Sequence, residues 1–560
     1  MRKPITVLSL LLAATLLAGC GGIPTGGNPV AGDPIDDDVE IEIGFAPQGP
    51  RPGSTQEEIV QDFLRAATNP QGDFAIAQQF LTTDFAEKWD PDASVLVRSS
   101  VGTTEPISET SLDFTFTTSA FVDAEGHYKE QRDSNTATLN FQLVKVGDEW
   151  RISSAPNGIV LADGQLDDVF REYGLYFFDP SYDYLVPDVR WFPNQGRVAS
   201  RVVTQLLAGQ SSWLGNGVLV SAFPAGTALG PDSVSISSGV ASVDLTEEAR
   251  AASNTDRDRM RQQLVTSLAS LSNVSSVVIT VEGTPLSVPV SGSAGANSSP
   301  EVEPLPLVGR IGGDTDEFGY IIADAISPIA VLSARIIALE PRAVTLARGG
   351  KRAAVLGNGG VFAVGSGDAE PLLIDKRPGL VPPSIDNGGF IWSVPRSDAS
   401  ALLAIQPDGT KHTIVSGLSS DARVISMDVS RDGARILVYV SIAGSPRLYV
   451  AGITRQDGAP TGLSELQLIP VGGGAPLDAT WVDDSTVATL STADNTTAVT
   501  AWIIGGPSES VGTLRGGKAI VGGNDGIDGL RVLTSDGEVY GPRGSSWQRT
   551  ATASFIATQQ

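Results

Sequence analysis

Leu175-Tyr176-Phe177-Phe178-Asp179-Pro180-Ser181-Tyr182-Asp183-Tyr184-Leu185-Val186-Pro187-Asp188-Val189-Arg190-Trp191-Phe192 is the stretch on which the fold turns. Gly174 to Phe178 is aromatic and apolar and reads as a strand. Leu185 to Trp191 reads as its hairpin partner. Downstream, Val198, Val202, Leu206 and Leu207 recur at helical spacing, and Gly209 stops that helix. Segments 217–227 and 239–245 follow. A longer helix then carries Leu264, Leu268 and Leu271, and the strand Val277-Val278-Ile279-Thr280-Val281 closes at Glu282-Gly283. Strands and helices in this mixture make residues 161–290 an α/β unit. Asp244 and Arg190 read as strand-end and surface partners within it.

After a Ser/Gly/Pro linker at 291–307, the texture of 308–560 changes to short strands separated by Gly/Asp turns. Ile385-Asp386-Asn387-Gly388-Gly389 precedes Phe390-Ile391-Trp392. Met427 to Gly433 precedes Arg435-Ile436-Leu437-Val438. Ala479 to Asp484 precedes Thr486-Val487-Ala488, and Gly523-Asn524-Asp525-Gly526 leads to Leu530-Arg531-Val532-Leu533. Offsets of about 40–50 residues match the length of a propeller blade. With Arg348-Gly349-Gly350-Lys351 before Ala353, five blades are visible, and the apolar 320–339 stretch supplies a sixth. An all-β propeller is therefore expected, with a β-sandwich as the alternative.

Residues 54–160 read as a small α+β domain. Ser54-Thr55-Gln56-Glu57 fits a capping box ahead of the stripe Ile59, Phe63 and Ala67. Asp73 reads as the cap of a second helix. Leu112, Phe114 and Phe116, then Ala137, Leu139, Phe141 and Leu143, alternate as strands do. Val146-Gly147-Asp148-Glu149 turns the chain toward Trp150-Arg151-Ile152.

At the N-terminus, Arg2 and Lys3 precede an apolar run from Ile5 to Leu17 and then Leu17-Ala18-Gly19-Cys20. Positive end, apolar middle and small residues at the break describe a secretory signal peptide over residues 1–19. The run is shorter than the roughly 20 residues a membrane-spanning helix needs. Cys20 is the single cysteine, which excludes an intramolecular disulfide. Residues 20–53, rich in Pro, Gly and Asp/Glu, read as an extended acidic tether.

The chain has 560 residues and a formal charge of −26, a balance that excludes nucleic-acid phosphates as a target. Between 21 and 160 there are 23 acidic and eight basic residues, so the charge is concentrated nearest the tether. Electrostatic adhesion to anionic lipid is excluded for the same reason. Two histidines, His127 and His412, fall in different domains, which leaves no cluster for zinc. Neither has a G-x-S-x-G serine nearby, so no Ser-His-Asp triad is expected within one domain. Gly512-Thr513-Leu514-Arg515-Gly516-Gly517-Lys518-Ala519 approaches a phosphate-binding loop, but Ala519 lacks the hydroxyl that magnesium requires. Asp314-Thr315-Asp316-Glu317-Phe318-Gly319 is similar to a calcium loop, but Phe318 and Ala325 stand where oxygen ligands belong. No catalytic residue, metal, cofactor or nucleotide site is expected. Only paired carboxylates stay open, because sequence does not give their separation.

Several resemblances extend these readings. Leu17-Ala18-Gly19-Cys20 resembles the bacterial lipobox, which implies that Cys20 carries an S-diacylglycerol and an N-acyl group after cleavage. Helices followed by a sheet ending in Gly147-Asp148-Glu149-Trp150-Arg151-Ile152 resemble the NTF2-like fold. The phrases of 161–290, in their order, resemble the GerMN (sporulation and germination) domain, a class of extracytoplasmic assembly or binding modules. The whole order resembles the LpqB lipoproteins of actinobacteria. That resemblance implies a protein anchored by lipid on the extracytoplasmic face of the cell membrane. It also implies a partner, the extracytoplasmic domain of the sensor histidine kinase of the MtrA–MtrB two-component system, with effects on cell-wall homeostasis and division. A cell-wall carbohydrate-binding or hydrolysing lipoprotein, and a passive envelope scaffold, are the alternatives.

Overall fold

The computed structural model describes residues 47–288, 303 and 305–560, apart from 73, 195, 323 and 524. Cys20, with Leu17, Ala18 and Gly19, lies outside the described residues, as do Asp73 and most of the 291–307 linker.

The first domain opens with helix α1 (Gln56–Ala66), followed by short helices α2 (Ala75–Gln78) and α3 (Thr83–Ala86). Strands β1 (Ser94–Arg98), β2 (Thr103–Ser108), β3 (Ser111–Asp123), β4 (Tyr128–Val146), β5 (Glu149–Ser154) and β6 (Ile159–Ala162) follow. They order as β5-β4-β3-β1-β6, with β2 also on β3. The capping box sits one residue later than the sequence reading placed it. Thr55 Oγ1 accepts from Glu58 N at 3.3 Å, and Thr55 N donates back to Glu58 Oε2 at 2.8 Å. Ser54 is buried instead. In this register Ile59, Val60, Phe63 and Ala66 all face the sheet. Phe63 meets Trp89 and Phe141 edge-on, at 5.2 and 6.1 Å between centroids.

Helix α4 (Leu166–Val169) leads into β7 (Phe170–Phe178) and β8 (Leu185–Pro193), which pair antiparallel in unbroken register from Phe170↔Pro193 to Phe178↔Leu185. Helix α5 (Val198–Ala208) ends at Gly209, whose φ of 109° suits glycine. Strands β9 (Leu229–Ser237) and β10 (Val240–Leu245), helix α6 (Asn254–Leu268), and strands β11 (Ser276–Val281) and β12 (Thr284–Pro285) complete the unit. The sheet order is β12-β11-β10-β9, with β10 and β11 parallel, as a crossover through α6 requires. All nine residues of β8 are buried. Neighbouring domains cover the face that a two-stranded ribbon would leave to solvent. Arg190, expected at the surface, is therefore interior and only 2% exposed.

From Leu307 onward the described residues are mainly strands, with one α-helix, α7 (Leu332–Ile337), and two short 3₁₀ turns. Strand Phe555–Gln559 pairs antiparallel with Leu307–Arg310 and parallel with Ala343–Leu346. That joins the strands on either side of α7 into one eight-stranded sheet, so the 320–339 stretch contributes the end of strand Glu317–Ile322, the strand Ala325–Pro328 and a helix rather than a complete sheet. Phe318 and Phe555 stack across this seam at 6.0 Å. Among the described residues four further antiparallel sheets follow, of four or five strands each, and no sheet closes on itself.

The first strands of successive sheets are joined by side chains. Val429 N donates to Ser384 Oγ (3.0 Å), Ala479 N to Ser426 Oγ (2.9 Å), and Ile520 N to Asp478 Oδ2 (2.9 Å). These strands surround a cavity of about 290 Å³, onto which Asp428 and Asp478 both face. The Ser430-Arg431-Asp432-Gly433 turn is held by Ser430 Oγ to Asp432 Oδ1 (2.7 Å), and Gly433 there has φ 72°.

The three domains pack against one another. Arg201 on α5 meets Asp92 of the first domain at 2.5 Å. Arg348 donates to the Tyr184 hydroxyl. Gly452 lies so near the second domain that a Cβ there would stand 2.6 Å from Val218 Cγ1 and 2.9 Å from Leu214 O.

Candidate functional site at the meeting of three domains

The turn between β3 and β4 is Asp123-Ala124-Glu125-Gly126-His127. Gly126 has φ 86°, and a Cβ there would press within 2.8 Å of the Phe192 ring. Its carbonyl accepts from Trp191 N at 2.8 Å, which seats the turn on β8. His127 Nδ1 contacts both Asp123 oxygens, at 3.1 and 3.0 Å, and its Nε2 contacts Ser211 Oγ at 3.1 Å. Burial alone raises the Asp123 carboxyl. Hydrogen bonds and positive charge from His127 outweigh that and hold it below its ordinary value.

Ser211 follows the end of α5 and begins a short 3₁₀ turn, Ser212–Leu214. Its Oγ donates to Asp188 Oδ1 and its N to Asp188 Oδ2, each at 2.7 Å. Arg190, two residues along β8, donates to Asp188 Oδ2 at 2.8 Å and to Glu125 O at 3.0 Å. Asp188 and Arg190 are 3% and 2% exposed. One polar chain thus runs Asp123–His127–Ser211–Asp188–Arg190 and returns to the starting turn. The third domain closes the site with Arg435, Glu465, Gln467 and Gly505, around a cavity of about 340 Å³. Trp191 Nε1 donates to Gly505 O at 2.9 Å. Burial pushes the nearby Asp484 carboxyl up to about 6, against the pull of Arg435.

Asp123, His127 and Ser211 have the order of contacts of a nucleophilic triad, assembled from two domains. The arrangement does not make Ser211 a nucleophile. Its hydroxyl already faces a carboxylate, and charge developing on Oγ would be repelled by Asp188. Its backbone N–H, needed to cradle an oxyanion, is spent on the same carboxylate. Asp123, Glu125 and His127 also offer ligand atoms within 4.8 Å of one another. Both imidazole nitrogens and both Asp123 oxygens are engaged as described, so a metal there would have to break the polar chain. The chain acts as an interdomain fastener.

Local sequence reading gives His127 neither a zinc cluster nor a G-x-S-x-G serine, and names no partner for it. Asp123, four residues away, was within reach of such a reading. Ser211 was not, because 84 residues and a domain boundary intervene. His412 sits elsewhere, edge-on to Phe390 at 5.4 Å. Asp244 caps a strand end, accepting from Thr280 Oγ1 at 2.6 Å and Gly283 N at 2.9 Å. The 512–519 stretch is two strands, Ser508–Leu514 and Gly517–Val521, with no helix behind it to receive a phosphate. In the 314–319 stretch Asp316 accepts from Gly312 N at 2.7 Å, and Phe318 is buried.

Among the described residues no helix is long and apolar enough to cross a membrane. Three families match in sequence. They are described as lipoprotein LpqB, N-terminal domain, over 49–167; sporulation and spore germination, over 174–287; and lipoprotein LpqB beta-propeller domain, over 322–556. Lipoprotein LpqB of Cutibacterium acnes is 25% identical over 539 residues, spanning 90% of this chain and 89% of that one. Lipoprotein LpqB of Thermobifida fusca is 30% identical over 291 residues, 49% of this chain and 46% of that one. The first GerMN domain of the sporulation protein GerM from Bacillus subtilis is 23% identical over 22% of this chain and 97% of that one, with a TM-score of 0.18. None of the three matched families is one of known enzymes. With all three parts matched in order, and a relative aligned along nine-tenths of its length, this chain belongs to the LpqB lipoprotein family.

Proposed function

We propose that the chain is a lipid-anchored, non-enzymatic adaptor on the extracytoplasmic face of the cell membrane, where it binds the extracytoplasmic domain of a sensor histidine kinase of the MtrA–MtrB kind and modulates its signalling. The observation that supports this most is the buried fastening of three domains into one body through Asp188, Arg190 and Trp191. Such a body presents a fixed composite surface, so little ordering entropy opposes binding. The domains are an NTF2-like domain (54–160), a GerMN domain (161–290) and a six-bladed propeller (308–560). The eight-stranded sheet counts as two blades joined by strand Phe555–Gln559, and the four later sheets as one each.

In this reading residues 1–19 are removed as a signal peptide and Cys20 takes the lipid. Two acyl chains hold a protein at a membrane where one gives only marginal binding. Tethering confines adaptor and kinase to one surface and raises their effective concentration. Binding shifts the kinase only by its differential affinity for the kinase's states. The test replaces Cys20 by Ala and follows kinase output in cells. Loss of output, with the variant released to the medium and restored membrane residence restoring output, supports the adaptor. Unchanged output with the variant fully released sinks it.

A second reading, a carbohydrate-binding or hydrolysing lipoprotein, is favoured by one observation: Asp428 and Asp478 both face the 290 Å³ cavity. Asp478 already accepts from Ile520 N and Ala479 N, and Asp428 from Ser384 Oγ. Release of sugar from purified cell wall, abolished in Asp478→Asn, would establish it.

A further inference from the structure

We propose that His127 is a proton-operated latch between the first and second domains, closed when the imidazole is charged and released when it is neutral. The inference is independent of which partner the protein binds. It follows from counting hydrogens. Three contacts run in series: Asp123 to Nδ1 (3.0 Å), Nε2 to Ser211 Oγ (3.1 Å), and Ser211 Oγ to Asp188 Oδ1 (2.7 Å). Each needs one hydrogen. The carboxylates at the two ends only accept when ionised. Asp188 is paired with Arg190 at 2.8 Å, and hydrogen bonds and charge from His127 hold the Asp123 carboxyl low. Serine supplies one hydrogen, so the ring must supply two, and a ring with two N–H groups is the imidazolium.

The surroundings agree. From its own turn His127 is faced by Asp123 and Glu125, and from β4 by Tyr128 and Lys129. From β8 it is faced by Asp188, with Arg190 behind. Arg435 and Glu465 face the shared cavity from the third domain. Lys129 and Glu465 are both exposed at the rim and offset one another. Of the remainder, Asp123, Glu125 and Asp188 oppose Arg190 and Arg435, so carboxylates able to accept outnumber the fixed cations around the ring.

When the imidazole loses one proton to solvent, the charged Asp123 retains the Nδ1 hydrogen. Nε2 then turns a lone pair toward Ser211 Oγ. The single serine hydrogen can satisfy Nε2 or Asp188, and the other contact becomes two acceptors facing each other in a buried site. The sign is therefore fixed by the hydrogen count: the latch is closed while the ring carries both N–H groups and opens when one of them is lost. Trp191 N to Gly126 O and Arg201 to Asp92 do not depend on His127. What opens is the wall of the 340 Å³ cavity that His127 and Ser211 share, while the domains stay joined.

The test uses the full chain in detergent micelles and hydrogen-exchange mass spectrometry at pH 5.5 and 8.0, with rates corrected for the intrinsic effect of pH. Protection of 209–215 should fall at least tenfold at the higher pH, while α6 stays unchanged. His127→Gln keeps an N–H for Ser211 without titrating, and should show no such fall. Constant protection in the unaltered chain, or an equal fall in His127→Gln, overturns the latch. Should His127→Gln misfold, as α6 exchange would reveal, Ser211→Ala decides. There, imidazole carbon signals, assigned by His412→Gln among only two histidines, must still titrate while the pH-dependent exchange disappears. Its persistence overturns the proposal.

Discussion

The indole Nε1 of Trp191 donates to the carbonyl oxygen of Gly505 at 2.9 Å, across 314 residues of sequence. The same side chain lies against Tyr128 of the first domain, 5.8 Å between ring centroids. One tryptophan of the second domain thus touches both others. Trp191→Phe keeps the ring in the interface but leaves Gly505 O without its donor, at a cost of about 1–3 kcal/mol. Urea unfolding should register that loss, and trypsin should cut nearer the domain junction than in the parent. An unfolding curve that superimposes on the parent's would show the bond to be dispensable.

Asp188 and Arg190 are a buried pair in which each also holds other groups. Asp188→Asn leaves the guanidinium unpaired and should destabilise by about 3–5 kcal/mol. Replacing both, as Asp188→Leu with Arg190→Met, should recover part of that, because two desolvated charges disappear together. Chemical denaturation of the three variants measures it. A double variant worse than Asp188→Asn would mean the pair contributes net attraction.

Gly452→Ala tests the contact of the second and third domains. The new methyl meets Val218 Cγ1 and Leu214 O, and backbone cannot yield cheaply. A loss of about 1–3 kcal/mol is expected, as for overpacking. Exchange protection should fall in the 212–220 segment and stay constant in α1.

Asp428 and Asp478 predict a pH dependence of the third domain. Burial is the chief cause for both, raising Asp428 to about 6 and Asp478 to about 7. A second acid in the same cavity adds to the rise at Asp478. The folded state therefore binds protons that the unfolded state releases near pH 4. Unfolding free energy should fall as pH climbs from about 4 to 7 and level off above it. Asp478→Asn should remove part of that slope, on the order of 2 kcal/mol between pH 4.5 and 7.5. Identical slopes in parent and variant would contradict the assignment.

Thr55→Ala removes one side of the reciprocal cap of α1 and should cost about 1 kcal/mol, visible as a lower melting temperature. Ser54→Ala, one residue earlier, should cost less, because Ser54 makes no capping bond to α1.

Much of this fold was legible in short windows, because short-range physics sets it. The alternation of β3, the turn at Gly147 and the stop at Gly209 depend on neighbours within a few residues. The α1 cap was misplaced by one position because Ser54 and Thr55 are both competent caps, and only the facing of Ile59 and Phe63 to the sheet chooses between them. Arg190 was misjudged for a different reason. A charged residue in a strand is usually at an exposed position, and here a second layer of protein covers β8. The polar chain at His127 was illegible as a whole, since its members come from two domains and a third seals it. The seam strand Phe555–Gln559 was equally hidden, for its partners are far upstream.

That seam sets an order of events in time. Ile311 N is bonded to Ser554 Oγ, 243 residues later. At about 10 residues per second of synthesis, the early edge waits tens of seconds for its mate. During that interval Leu307–Arg310 and Ala343–Leu346 lack the strand that lies between them and remain open to wrong pairing. Closing this seam is therefore a step at which the growing chain is open to misassembly.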